Sequence, residues 1–392
     1  MEGNDKEIPS FGGVAEGRGG SKSALCELGN NPVMTDADDI QGRDEKWWGR
    51  FAQTSAKEGL AESVYYHQTR SAFAGRCPAN VFRSLESEYV STLARNTLFL
   101  KQADDLKTIL EGHAYLLLKG AFLADCVYPS PGLRRFSDID VLVRKNDLKA
   151  VEERLVSRGG YHGVSGMASS DTSYLNSVMY GRESGGPAVH VHWHIQNSIL
   201  PKYVGAGFDI EEIWESAQPS SNAPLEMRPE HLVLHLADHA LRHSFHRLIL
   251  IRDVIEVIRW AGPRWNWFGL RDEAIRLGLV RPLYYTLLLI AARGGMTMDR
   301  EILEALKPPG QGFLERWYEK ELVADHRRPE ASSIVYGSSL PSWKERLRFV
   351  YRMLFPPRDV LARAYGRKPQ DIGVGDYVAR LFRGFRYLLP KR

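Results

Sequence analysis

In RRFSDIDVLV, residues 134–143, two carboxylates, Asp138 and Asp140, stand at alternate positions at the start of an apolar run. Alternate residues of a β-strand share one face. The pair therefore points one way, within reach of a single hard divalent cation. Such a cation, clamped against a triphosphate, stabilises charge on a phosphoryl group in flight and lowers the pKa of an attacking oxygen. The chemistry this pattern allows is nucleotidyl transfer. A DxD tripeptide alone is a weak signal, because a solvated strand end carries the same residues.

The neighbouring segments must supply the frame. From Phe82 to Glu111 apolar residues recur every three or four positions, which predicts an amphipathic helix. AYLLLKG (114–120) predicts a short strand ending in Lys119-Gly120, and AFLADCVY (121–128) a helix closed by the turn PSPGL. SDIDVLV is the second strand, with Ile139, Val141 and Val143 on the packed face. NDLKAVEERLVSRGGY (146–161) predicts a helix with Asn146 as N-cap and Gly159-Gly160 as its stop. SYLNSVMYG and PAVHVHWHI predict a hairpin. Beyond Pro201 helical patterns dominate, notably over 229–260. The organisation expected is a flexible leader (1–45), an α/β domain (46–204), a helical domain (205–340) and a basic amphipathic helical tail (341–392).

LLLKGAFLADCVYP, RRFSDIDVLV, VHVHW and HLVLHLADHALRH follow one another across roughly residues 80–300. Together they resemble the uncharacterised nucleotidyltransferases of the NTP_transf_5 type, within the DNA polymerase beta-like nucleotidyltransferase superfamily. The resemblance implies an α+β fold: a polymerase-beta-like domain, a small mixed sheet with flanking helices, followed by a mainly helical domain. It implies transfer of an NMP group from a nucleoside triphosphate, with Mg²⁺ or Mn²⁺ held by Asp138 and Asp140. The acceptor, a small molecule, glycan or protein, is left open. Gly120 would be the turn residue beside phosphate, a role suited to a residue without Cβ. Lys119 would be a cation against the triphosphate, or a side chain snorkelling from a strand end. Of the two arginines before the DxD strand, Arg135 is assigned to the triphosphate and Arg134 to the surface. Ser137, grouped with the nucleotide-binding residues, sets the turn into the strand or donates its hydroxyl to a carboxylate or phosphate.

The family pattern on the adjacent strand is an acidic residue, an apolar one, then His-Trp. This chain reads His190-Val191-His192-Trp193-His194, so His190 stands where a third carboxylate is expected. An imidazole brings no negative charge and suits Mn²⁺ or Zn²⁺ better than Mg²⁺. His190 could serve as the general base. The chain could instead be a catalytically degenerate nucleotide-binding or scaffold protein. A third outcome is a transition-metal site made by the three histidines, on one face by alternation, with the Asp pair. If His190 faced the core, Glu183 or another carboxylate would close the site. His192 is expected toward the site and Trp193 toward the core.

His235, His239 and His243 recur every four residues and share one helix face. That face is expected as the cleft wall opposite the DxD strand, or as polar packing between domains. A rival enzyme class, a metal-dependent phosphohydrolase using His235, Asp238 and His239, would need further ligands on other helices. Asp253 is expected in an inter-helix salt bridge.

Composition bounds these readings. With 43% hydrophobic and 26% charged residues over 392 positions, the chain has material for two cores. Its N-terminal residues carry no secretory-signal pattern, and apolar stretches such as YYTLLLIAA (284–292) are too short to cross a bilayer, so a cytoplasmic location is expected. Cys26, Cys77 and Cys126 are too scattered for a disulfide framework or zinc cluster. The net charge of +4 is uneven: from Ser342 onward thirteen Lys/Arg face four Asp/Glu. Arg mixed with Phe, Tyr, Leu and Trp at helical spacing predicts helices docked on the second domain, or lying on an anionic membrane at its inner face. No specific nucleic-acid signature accompanies them.

Overall fold

The computed structural model describes residues 43–68, 77–164, 176–195, 209–220, 224–293, 296, 298, 300–326, 332–340 and 342–388. Nearly all of the expected leader, and Cys26 with it, lies outside the described residues; neither Cys77 nor Cys126 is in a disulfide among the described residues.

Three helices, α1 (Glu45–Glu58), α2 (Ala61–Gln68) and α3 (Ala79–Ile109), precede the first strand. The last of these is the helix read from periodicity, begun three residues earlier than expected. Strand β1 (Tyr115–Leu117) leads into α4 (Lys119–Phe122), which widens at once into a π-helical turn over Leu123–Val127. Strand β2 (Asp138–Val143) follows, then a 3₁₀ turn at Lys145–Asp147 and α5 (Leu148–Ser157). Asn146 lies within that turn rather than capping the helix, whose N-cap is Asp147 and makes no side-chain cap bond. Strands β3 (Tyr161–Gly163), β4 (Ser177–Arg182) and β5 (Ala188–His192) complete the sheet.

The sheet order is β1-β2-β5-β4-β3, with β2 and β5 parallel and the other neighbours antiparallel. Parallel partners need a crossover connection; α5, β3 and β4 provide it and bring β5 back beside the DxD strand. The β4–β5 hairpin matches the expectation, while β3 is too short to carry a readable alternation. In β2, Ile139, Val141, Leu142 and Val143 are all fully buried. Both faces are covered, as befits a strand with a parallel neighbour, and only its first residue reaches solvent.

Helices dominate the rest: α6 (Glu211–Ser216), α7 (Pro229–Arg242), α8 (Ile249–Ala261), α9 (Trp267–Arg276), α10 (Val280–Ala292), α11 (Arg300–Leu306), α12 (Phe313–Val323) and α13 (Ser332–Ser339). Then come α14 (Trp343–Leu354), α15 (Arg358–Ala364) and α16 (Val374–Leu388). No helix among the described residues is long and apolar enough to cross a membrane. A single apolar cluster joins Leu116, Val141 and Val191 of the sheet to Leu234, Val254 and Tyr285 of the helices. Helices α7 and α8 are buried almost all round, the mark of interior helices.

One ion pair fixes this helical layer to the strand that matters. Arg134, in the turn before β2, donates from Nε and Nη2 to the two carboxylate oxygens of Asp253 on α8, at 2.7 and 2.8 Å. The Tyr128 hydroxyl donates to the same carboxylate at 2.8 Å. Arg134 is therefore no surface charge: the guanidinium is drawn inward because a buried carboxylate needs a planar two-pronged donor. Asp253 forms a salt bridge as expected, but to the turn before β2 rather than between helices. Removing one partner of a buried pair strands the other's charge, so Asp253→Ala should cost about 3–5 kcal/mol. Urea unfolding would measure it, and a loss below about 1 kcal/mol would show that the pair does not hold the two layers together.

Candidate active site

Asp138 and Asp140 open β2, and the parallel register sets Asp140 opposite His190 and Leu142 opposite His192 on β5. Because both strands alternate in phase, the two carboxylates and both imidazoles gather on one face at one end of the sheet. His192 Nε2 lies 2.7 Å from Asp140 Oδ1. His190 Nδ1 lies 3.3 Å from the same oxygen and 3.8 Å from Asp138 Oδ2. His190 thus faces the Asp pair and not the core. His194 does not join it, since β5 ends at His192 and the chain bends over Trp193–Ile195, burying Trp193. Glu183 lies elsewhere, beside Tyr161 and Arg182 on the far strands.

The third donor to Asp140 comes from the end of β1. Lys119 Nζ sits 2.9 Å from Asp140 Oδ1. Lys119 takes a left-handed backbone with φ of 45°, whereas Gly120 does not. The turn's unusual conformation therefore falls on the lysine. Gly120 is held to glycine by packing: a Cβ there would lie 2.4 Å from Phe136 Cβ. Leu118 N–H donates to the Asp140 carbonyl at 2.9 Å and locks this corner onto β2. Ser137 donates its hydroxyl to Asp138 Oδ1 at 3.2 Å, the carboxylate alternative among its expected roles.

Electrostatics separate the two carboxylates. Burial works against charge on Asp140, but the Lys119 ammonium and hydrogen bonds from His190 and His192 outweigh it, holding its carboxyl well below the usual range. Burial, then the charge of Asp140, push the Asp138 carboxyl above its usual value. Burial drives His192 down to about 3, so its ring is neutral and Nε2–H donates to the acceptor-only carboxylate. Asp140 is thus the more acidic of the two carboxyls and Asp138 the less acidic.

Arg135 is not brought to this cluster. It pairs with Glu62 of α2 at 3.2 Å and with Glu88 of α3, and donates to Thr92 Oγ1. Helix α7 presents His235 toward the cluster: its neighbours in the electrostatic sense include Lys119, His192 and Asp140. His235 is 1% exposed and neither ring nitrogen has a hydrogen-bond partner. Burial, then Lys119, keep His235 and His239 well below the ordinary histidine value. His239 stacks edge-on against His243 with centroids 4.6 Å apart. Asp238 is engaged otherwise, accepting from Tyr336 Oη at 2.8 Å and pairing with Arg242 at 3.1 Å. Among the described residues, the group able to hold a metal is Asp140, His190 and His192, whose donor atoms lie within 4.8 Å of one another. The helix histidines and Asp238 are not part of it.

Sequence reasoning missed Lys119's grip on Asp140 and the anchoring of Arg134 by Asp253. The adjacent Arg134-Arg135 and Arg252-Asp253 pairs were the available signals, but neighbours in sequence diverge in direction and do not name their partners.

A small mixed sheet with two alternate carboxylates opening a strand, a cation over them and helices behind is a nucleotidyltransferase arrangement. The chain belongs to the family described as uncharacterised nucleotidyltransferase, whose model matches residues 44–295. No curated protein and no solved structure matches it.

Lys119 offers a direct test of the electrostatics. A depressed carboxyl stabilises the fold fully above the unfolded value of about 3.9 and progressively less as pH falls through the folded value. Lys119→Met removes the cation responsible, so we expect a loss of about 3 kcal/mol at about pH 7, shrinking toward about pH 2, well below the unfolded value, as Asp140 takes up a proton. Urea unfolding at both pH values measures this. An equal loss at both would mean that Lys119 acts only through packing.

Proposed function

We propose that the chain transfers a nucleotidyl group from a nucleoside triphosphate to an unidentified acceptor, which could be a small molecule, a glycan or a protein. The observation that carries this reading is the convergence of Asp138, Asp140, Lys119 and His190 at the open end of the β2–β5 pair. The residues fit a divalent cation. All three nitrogen contacts to Asp140 fall on Oδ1, none on Oδ2, and Asp138 is one-third exposed. Asp138 and Asp140 would hold the ion, which supplies charge neutralisation of the triphosphate and acidifies the acceptor hydroxyl. With His190 beside the pair the donor set is part nitrogen, so Mn²⁺ suits it better than Mg²⁺.

In this reaction the acceptor oxygen forms a bond to the α-phosphorus as the bond to the bridging oxygen breaks, and pyrophosphate leaves with that electron pair. His190, placed where the family resemblance implies a carboxylate, takes the acceptor's proton. Lys119, now paired with Asp140, would exchange that partner for the triphosphate. Its flexible stem and point charge suit such a change of partner. His235, whose ring nitrogens have no partner, would meet the base, ribose or acceptor.

The competing reading, nucleotide binding without turnover, is favoured by one feature: Lys119 already neutralises Asp140. One experiment separates the two. The protein is incubated with labelled ATP, GTP, CTP and UTP in Mn²⁺ or Mg²⁺, and bound nucleotide and released pyrophosphate are followed. We expect release in Mn²⁺, reduced about 10²-fold or more in Asp138→Asn. Binding without release would establish the non-catalytic reading. His190→Asp restores an all-oxygen site and should raise the Mg²⁺-supported rate relative to the Mn²⁺-supported one. An unchanged ratio would remove His190 from the metal's surroundings.

A further inference from the structure

Beyond residues 44–295, which the family model covers, the last helices present a surface that the reaction does not use. Docking of their apolar faces onto the helical domain is what amphipathic spacing predicts, and the structure departs from it. In α14 only Phe349 is buried. Trp343, Leu347, Val350, Tyr351 and Leu354 stand between 40% and 66% exposed. At about 100° per residue these five fall within an arc of about 100°. Lys344 and Arg346 border that arc on either side.

Helix α16 repeats the pattern, with Val374, Val378 and Phe382 between 43% and 78% exposed at four-residue spacing. The two helices are fastened together. Arg380 donates from Nε and Nη2 to the Met353 carbonyl at 3.2 and 3.1 Å, and Tyr377 Oη donates to the Pro356 carbonyl at 3.0 Å. Phe355 packs against Tyr377 across the joint, with ring centroids 6.3 Å apart.

We propose that this helix pair is a docking surface for an anionic lipid bilayer. The apolar arcs sink to the level of the headgroups, and the basic residues meet the lipid charge. Charge selects this occupant. From Ser342 onward the chain carries thirteen basic residues against four acidic ones, so face-to-face pairing with a second copy would bring two strongly positive surfaces together. A single-stranded nucleic acid would use aromatic rings for stacking along a groove, whereas Leu347, Val350 and Leu354 make an aliphatic strip on a convex helix. Since no described helix can cross a membrane, the pair lies along the surface and does not span it.

The experiment uses the full chain with sedimented vesicles of phosphatidylcholine alone or mixed with phosphatidylglycerol. Partition into anionic vesicles should exceed that into zwitterionic ones by about tenfold or more, and fall steeply from about 0.1 M to about 1 M salt, where screening is nearly complete. The double substitution Leu347→Glu, Tyr351→Glu should abolish most of this binding. Both side chains are exposed, so the melting temperature should hold, and pyrophosphate release in solution gives a second check of the fold. Retention of the wild-type chain in the supernatant would overturn the proposal. So would equal partition into both vesicle types, or a dimer in solution that the double substitution converts to monomer.

Discussion

The site depends on one buried anion. Asp140 is 4% exposed, and a carboxylate taken out of water is unfavourable by several kcal/mol unless compensated. Compensation comes from three separate places: the end of β1 through Lys119, and two successive inward positions of β5 through His190 and His192. That requirement fixes register. If β5 slipped by one residue against β2, Val189 and Val191 would meet Asp140 and both imidazoles would turn to the opposite face. The charge at the centre of the candidate site is thus also the device that aligns the two strands carrying it. Asp138, one pleat nearer solvent, has no comparable set of donors, and burial with the adjacent charge raises its carboxyl. The two acids are chemically unlike although their sequence positions look equivalent.

A second buried anion performs the same service between layers. Asp253 gathers Arg134 and Tyr128, so the turn that feeds β2 is pinned to α8, and α7, packed against α8, is held over the sheet. This brings His235 to the cluster. Two buried nitrogens without partners are an exception in a folded chain, each unfavourable by about 1–3 kcal/mol. Local inconsistency of this sort is where sequence rules give way to function. The tension at His235 lies beside Lys119, His192 and Asp140.

How much was readable follows from what each feature requires. The α3 helix, the β1 and β2 strands and the β4–β5 hairpin rest on local periodicity and turn residues, and they emerged from the sequence with boundaries shifted by a few positions. The pairing of β2 with β5 does not: 45 residues separate Val143 from Ala188 in numbering, and only parallel geometry makes His190 and His192 companions of Asp140. The family resemblance suggested that His190 stands in place of an acid, but its direction depended on a long-range register. Arg134 and Arg135 show the limit more sharply. Adjacent, identical and both ahead of the DxD strand, they differ only in partner, Asp253 for one and Glu62 with Glu88 for the other. Those partners lie on α8, α2 and α3, beyond the reach of any local pattern. Likewise, the helical spacing of Arg with apolar residues over α14 foretold an amphipathic helix but not which side would face solvent.

The backbone at Lys119 carries the functional argument one step further. A left-handed conformation is unfavourable by about 1–2 kcal/mol for a residue with a Cβ and nearly free for glycine. Glycine stands next to it at Gly120, yet there it is required by the Phe136 contact and not by its own φ. A glycine at position 119 would relax the turn and leave Asp140 without its cation. The chain instead accepts the strain and gains an ammonium aimed at the buried carboxylate of Asp140. Strain that persists where a less strained residue would fit is best understood through what the side chain does. Here the side chain holds its ammonium 2.9 Å from the buried Asp140 carboxylate.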